Sequence, residues 1–332
     1  MKLSILDQSP ISQGMSAEEA LQNTVKLAQH AERLGFHRFW VSEHHDAMTL
    51  AGTSPEVLIP YLAAKTDRIR VGSGGVMLTH YSAFKVAENF RVMEGLAPGR
   101  IDLGIGKAPG GMPIASLALA DGRKRDKTRY PEQIDDLLAY LHDALPEGHR
   151  FTGLTAAPVT KTAPEVWLLG STESSALLAA EKGLPYTFAQ FINGEDGFEY
   201  MERYRQNFKP SKFLSVPKSL AAVFFICAET DHKAEEIASI LDYTMLMQQQ
   251  GARLEGTPNL EQVQAYQYSS FELDWIRENR KRMVVGSPVS AAKQLKELSE
   301  GYMVDEMMLV SITFNFEDKV KALRLIVEHF GN

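Results

Sequence analysis

Residues 41–46 read Val-Ser-Glu-His-His-Asp, two adjacent imidazoles with carboxylates on both sides. Such a stretch can ligate a metal, exchange protons or simply solvate a surface. Metal ligation needs side chains that converge on one face, and adjacent His44 and His45 point opposite ways along an extended chain. The remaining ligands would have to come from elsewhere. No second His/Asp pair stands at a comparable position, so no metal is expected. A neutral imidazole that gives or takes a proton near neutral pH fits the stretch better.

Three other segments have chemistry in their spacing. Gly170-Ser171-Thr172-Glu173-Ser174 precedes a helical pattern. Its backbone N–H groups and hydroxyls would face one spot of partial positive charge, a ready phosphate site. Plain helix capping by Ser171 or Thr172 accounts for the same residues. Gly104-Ile105-Gly106-Lys107-Ala108-Pro109 is not a Walker loop, because alanine follows Lys107 and the upstream glycine spacing is missing. Nor is it a dinucleotide fingerprint, since Pro109 falls where the helix should begin. What remains is a loop with Lys107 near its mouth, able to neutralise a phosphate or to sit in water. Gly74-Gly75 lets the backbone approach a flat ligand, or serves a tight strand exit.

Short apolar runs alternate with segments of helical period along the chain. Strands are expected at 3–6, 39–41, 69–72, 101–105, 166–169, 186–189, 221–226 and 307–310. Helices are expected between them. The first opens on a Ser16/Glu19 capping box and stops at Gly35; the second begins at Pro55; others lie near 195–207 and 231–249. Eight strand–helix units in sequence predict an α/β fold, a (β/α)8 barrel, with a doubly wound open sheet as the alternative. Chemistry in such a barrel sits at the C-terminal ends of the strands. There the stretches at 42–45, 73–76, 104–107 and 170–174 all fall. Segments 106–129 and 251–305 read as insertions after strand four and before strand eight, the latter with helices near 260–282 and 288–300; 143–163 reads as a loop or hairpin.

Composition bounds the rest. The chain has 332 residues, 44% hydrophobic and 23% charged, which suits a soluble globular protein and is read as one domain over 1–332. A net charge of −7, with Lys and Arg dispersed, argues against nucleic-acid binding. No run is long enough to span a membrane, and the N-terminus lacks a signal-peptide h-region. Cys227 is the only cysteine, which excludes an internal disulfide and a thiolate zinc cluster. A cytoplasmic protein acting on small molecules is expected.

FWVSEHHD (39–46), AGTSPEVLI (51–59), RVGSGGVMLTHYSAFKVAENF (70–90), LAPGRIDLGIGKAPG (96–110) and LLGSTESSALLAAEKGLPYTFAQF (168–191) together resemble the bacterial luciferase-like monooxygenases. The resemblance covers nearly the whole chain. It implies a (β/α)8 barrel that uses reduced FMN, supplied by a separate flavin reductase, and O2 to oxidise a small organic substrate, an aldehyde being the family-level expectation. It also implies a homodimer formed through helices near strands two and three. Residue by residue, His44 resembles the family's catalytic histidine, with His45 second and His80 lining a substrate pocket. Gly74-Gly75 resembles a non-proline cis peptide under the flavin ring. Gly170, Ser171, Thr172 and Ser174 would cradle the phosphate, and Tyr130 resembles a tyrosine found near the flavin. Lys107 stands where the family commonly has arginine, which keeps the charge but loses the bidentate fork. A deazaflavin (F420)-dependent reductase of the same fold and a non-catalytic flavin-binding protein are the alternatives, with a metal-dependent barrel hydrolase after them.

Overall fold

The computed structural model describes residues 1–123, 126–193, 195 and 197–331. Residues 124 and 125 of the 106–129 segment, and residue 196 within the helix expected near 195–207, lie outside the described residues. In chain order the elements are β1 (Lys2–Asp7), α1 (Ala17–Arg33), β2 (Arg38–Val41), α2 (Pro55–Ala64), β3 (Arg70–Met77), α3 (Ala83–Leu96), β4 (Ile101–Gly106), α4 (Pro113–Leu119) and α5 (Tyr130–Leu141). Then come β5 (Glu165–Gly170), α6 (Glu173–Lys182), β6 (Tyr186–Ala189), α7 (Gly197–Gln206), β7 (Ser219–Cys227) and α8 (Asp231–Gln249). The chain ends with α9 (Leu260–Ala265), α10 (Ser270–Arg280), β8 (Met283–Gly286), α11 (Pro288–Tyr302), β9 (Glu306–Val310) and α12 (Phe316–Phe330).

Strands β1 to β7 each pair in parallel with the next, and β9 pairs with both β7 and β1, closing an eight-stranded barrel with helices around it. This is the TIM barrel. Parallel strands covered on both faces are mostly apolar, and β2, β4, β6 and β9 are buried along their whole lengths. Local signals set the helix ends. Ser16 and Glu19 form the capping box of α1, and Gly35 leaves it at φ +83°. No helix among the described residues is long and apolar enough to cross a membrane.

The sequence expectation is corrected in two places. Segment 260–282 is not one helix; α9 and α10 are separate helices, and β8 follows α10 directly. Four residues, Met-Val-Val-Gly, are too few to show a period. They form a strand because the long β7 still has an open edge: β6 occupies it along Ser219–Ala222, and β8 takes it along Phe224–Cys227. Strand β3 also runs past the expected end at 72, through Gly74 and Gly75, to Met77. Its pairing with β4 shifts register between Gly74 and Val76, and the Gly74–Gly75 peptide is cis.

Inward-facing side chains build the barrel in layers. The lower layer is ionic. Arg38 of β2 donates to Asp102 of β4 (2.8 Å), Glu165 of β5 (3.1 Å) and Glu306 of β9 (2.7 Å), while Ser4 of β1 also donates to Glu306 (2.6 Å). Arg70 donates to the other oxygen of Asp102, and Lys218 pairs with Glu165. Two residues on from Arg38 and from Glu165, Trp40 and Trp167 point the same way, as strand alternation requires. Their indole N–H groups donate down to Asp102 (2.9 Å) and Glu165 (3.1 Å). The Arg38 guanidinium lies 4.7 Å from the Trp167 ring centroid, a cation–π contact.

Burial opposes ionisation of Glu165, but Lys218, Arg38 and Arg70 together hold its carboxyl down at about 2, against an ordinary value of 4.5. A lowered folded-state value stabilises the fold at pH above the ordinary value. That share is lost as pH falls from 4.5 toward about 2. Urea unfolding across this window is expected to show falling stability. In Arg38→Met the fold should lose about 3–5 kcal/mol at neutral pH, because buried carboxylates are left uncompensated. An unchanged urea midpoint in that variant would contradict this role for Arg38.

Candidate active site

Above the ionic layer a cavity of about 340 Å³ opens at the C-terminal ends of the strands, within the size range of small-molecule sites. Every barrel strand contributes to its wall: Leu6, Trp40, Gly74 with Gly75 and Met77, Gly106, Leu169 with Gly170, Thr187 with Ala189, Ala222, and Met308. Phe191 and Ile192 follow from the loop after β6. Trp40 thus joins the cavity to the ionic layer, since its N–H is fixed on Asp102.

The floor is shaped by glycine. A Cβ on Gly74 would lie 2.6 Å from Leu6 Cδ1 and 3.3 Å from Trp40 Cβ. On Gly75 it would lie 2.5 Å from Leu169 Cδ1 and 2.7 Å from the Gly104 carbonyl. Neither position tolerates a side chain without moving backbone or packed core, so the pair gives a flat shelf beside Trp40 and Leu6.

One side of the cavity is polar. Thr172 is the N-cap of α6; its backbone N–H donates to Ser175 Oγ (3.3 Å), and its hydroxyl lies 3.0 Å from Ser174 Oγ. Ser175 Oγ in turn donates to the Thr172 carbonyl and lies 3.0 Å from the Tyr186 hydroxyl, so the turn is locked. Gly170, Ser171 and Thr172 reach the cavity, and Lys107 and Lys127 face it from the loops after β4. Two lysines, a helix N-terminus and no carboxylate among the lining residues favour an anion here. Thr187 Oγ1 on the same wall is buried and has no hydrogen-bond partner among the described residues. A ligand with a phosphate at one end and a flat aromatic ring system at the other, such as FMN, fits this donor set and shelf.

The structure therefore brings Gly74, Gly75, Lys107, Gly170, Ser171 and Thr172 to one cavity. Ser174 stands one hydroxyl behind Thr172. Tyr130 is buried at the start of α5, its hydroxyl unpartnered among the described residues, and is not part of the lining. His44, His45 and His80 are likewise outside the lining. His44 Nδ1 lies 3.0 Å from Ser42 Oγ, and its backbone N–H donates to the Gly52 carbonyl. Burial, reinforced by His45, pushes its imidazole down to about 4. Glu43 contacts His45 (2.8 Å). Lys127 was missed by sequence reading. The signal was the basic run ending at Arg129, which shows charge but not direction. Among the described residues, no three His, Cys, Asp or Glu side chains gather as a metal would require.

Comparison with known proteins agrees with this architecture. The family profile described as luciferase-like monooxygenase matches residues 1–305. The uncharacterized protein YwcH of Bacillus subtilis (strain 168) is 58% identical over the full length of both chains. The N-acetyl-S-alkylcysteine monooxygenase of the same organism is 38% identical over 98% of this chain and 97% of its own. The crystal structure of apo-MsnO8 superimposes with a TM-score of 0.92 at 35% identity, over 99% of this chain and 98% of that one. More distant structures, a Type II Baeyer-Villiger monooxygenase constituent in complex with FMN (18% identity) and an F420-dependent secondary alcohol dehydrogenase (11%), both with TM-scores of 0.72, show the shared fold alone. The chain belongs to the luciferase-like monooxygenase family and is a flavin-dependent oxidoreductase.

Proposed function

We propose that the protein is a two-component monooxygenase that takes reduced FMN from a separate flavin reductase and uses O2 to oxidise a small organic substrate. The observation that carries this reading is a single cavity with a lysine- and hydroxyl-lined anion end and a glycine shelf bounded by Trp40 and Leu6. Ser171, Thr172, Lys107 and Lys127 would hold the phosphate, with Ser174 supporting Thr172 from behind. Gly74 and Gly75 would lie under the ring. Reduced FMN, when bound, supplies the two electrons with which O2 is activated. The chain's own part is to bind, orient and keep water out, for which Leu169, Phe191 and Met308 provide apolar walls. The 38%-identical relative named as a monooxygenase favours this over deazaflavin reduction and over a flavin carrier.

His44 is assigned the proton transfers. It follows β2 four residues after Trp40, is neutral at neutral pH because burial lowers its pKa, and has Nδ1 engaged by Ser42. Its Nε2 has no hydrogen-bond partner among the described residues and can therefore exchange a proton. Tyr130, His45 and His80 are assigned to the shell around the flavin and substrate. An aldehyde is the substrate class expected from the family, and an S-alkylated thiol, by analogy with the 38%-identical relative, is the second to test. The cavity lining runs from Leu6 to Met308, which supports one domain over 1–332. A homodimer is supported by Val57 and Tyr61 on α2 and Val92 and Leu96 on α3, apolar side chains exposed on neighbouring helices.

A reductase-coupled assay under ¹⁸O2 with an aldehyde and thioether panel tests this directly. One labelled oxygen in the product is expected, and product formed equally well without O2 would contradict the reading. His44→Gln is expected to lower turnover about 100-fold or more while leaving FMN affinity nearly unchanged. Its stability profile gives an independent check. The folded imidazole takes up its proton only near 4 and the unfolded one near 6.5, so stability should fall as pH drops through that interval. His44→Gln should remove this slope; a slope that survives the substitution would show that His44 is not its source.

A further inference from the structure

Glu43 does not reach the cavity, yet its partners lead there. Its side chain is fully buried. One carboxylate oxygen accepts from the backbone N–H of Met77 (2.9 Å). The other accepts from the Tyr81 hydroxyl (2.8 Å) and lies 2.8 Å from His45 Nε2. The contact turns the His45 ring so that Nε2 faces Glu43. Glu56 is the other acidic group facing this cluster, and its carboxyl is held above the ordinary range by burial and by the Glu43 charge.

His45 is also the seat of the loop after β4. Its backbone N–H donates to the Gly110 carbonyl (2.7 Å), and His45 and Gly111 form an isolated β-bridge. His80 meets His45 edge-on at 6.3 Å, and its Nε2 lies 2.9 Å from the Pro109 carbonyl. The fit is close: a Cβ on Gly110 would lie 3.3 Å from the His45 ring, and one on Gly111 would overlap the His45 carbonyl. This same loop delivers Lys107, Ala108 and Pro109 to the cavity wall.

We propose that Glu43 is a positioning residue. By fixing the His45 ring it holds the 107–111 loop in the one seating that presents Lys107 to a bound phosphate. Glu43 and His45 are two apart on an extended segment and so share a face, opposite the face of His44. The pair belongs to the loop across the strand ends. The proposal rests on the reading of the cavity as the FMN site, and its test separates the two.

Amide hydrogen exchange is measured without cofactor on the wild type, Glu43→Ala and Glu43→Gln. Dissociation constants for oxidised FMN are measured on these, on Lys107→Met and on the double variant Glu43→Ala/Lys107→Met. In Glu43→Ala, exchange over 107–111 is expected to accelerate about tenfold or more with β4 and β5 unchanged. FMN binding should weaken about tenfold in each single variant, and by about the same factor in the double, because both act through one contact. Glu43→Gln, which keeps the shape without the charge, should move both readouts the same way by less, and it decides the matter if the alanine variant does not fold. Unchanged exchange over 107–111, or effects on FMN affinity that multiply in the double variant, would overturn the proposal. If the wild type does not bind FMN, the cofactor reading fails while the exchange result still decides the role of Glu43.

Discussion

The barrel depends on one buried arginine. Arg38 lies inside a ring of parallel strands and bonds carboxylates from three of them, Asp102, Glu165 and Glu306. Burial alone would disfavour its charge, but these carboxylates more than offset the cost and raise its pKa above the ordinary value. Arg70 and Lys218 complete the balance, three cations against three anions. An unbalanced set at this depth would be strongly destabilising. The balanced set acts as a plug that brings β2, β4, β5 and β9 to one point and relates the two sides of the barrel where β9 closes on β1.

From that plug the site is built upward. Asp102 uses one oxygen for Arg38 and for the Trp40 N–H together, so the indole at the floor of the cavity has its orientation set from below. Trp40 and Leu6 press against position 74, which must be glycine, and Leu169 with the Gly104 carbonyl does the same at 75. The shelf is therefore flat as a consequence of packing. Its rim is independently made. The α6 cap places hydroxyls and backbone dipoles at one end, and the loops after β4 bring two lysines to them. Rigid floor and separately seated rim are what a site needs if it is to grip an anion firmly and leave the opposite side to a variable substrate.

Much of this was legible in the sequence. Alternation and helical period gave the eight barrel strands in order, since most are apolar runs bounded by turn residues. Gly170-Ser171-Thr172 could be read because glycine and hydroxyls at a strand-to-helix turn have few other uses than capping or anion binding. What could not be read depends on register. Arg38, Asp102, Glu165 and Glu306 are far apart in sequence and meet only through strand pairing, so nothing in the linear order brings their charges together. The direction of Lys127 depends on how the 106–129 segment folds back. Strand β8 is too short to show a period and exists because β7 has a free edge. The pairing of Glu43 with His45 was within reach, because residues two apart on an extended segment share a face.

The proposed FMN site is the cavity at the C-terminal mouth of the barrel, with the phosphate at the α6 cap. A crystal structure of the protein with FMN bound tests it most directly. Phosphate oxygens are expected within hydrogen-bond distance of Ser171 and Thr172, with Lys107 and Lys127 facing them and the isoalloxazine ring lying over Gly74 and Gly75. A flavin bound elsewhere on the barrel, or in this cavity with its phosphate away from the α6 cap, would contradict it.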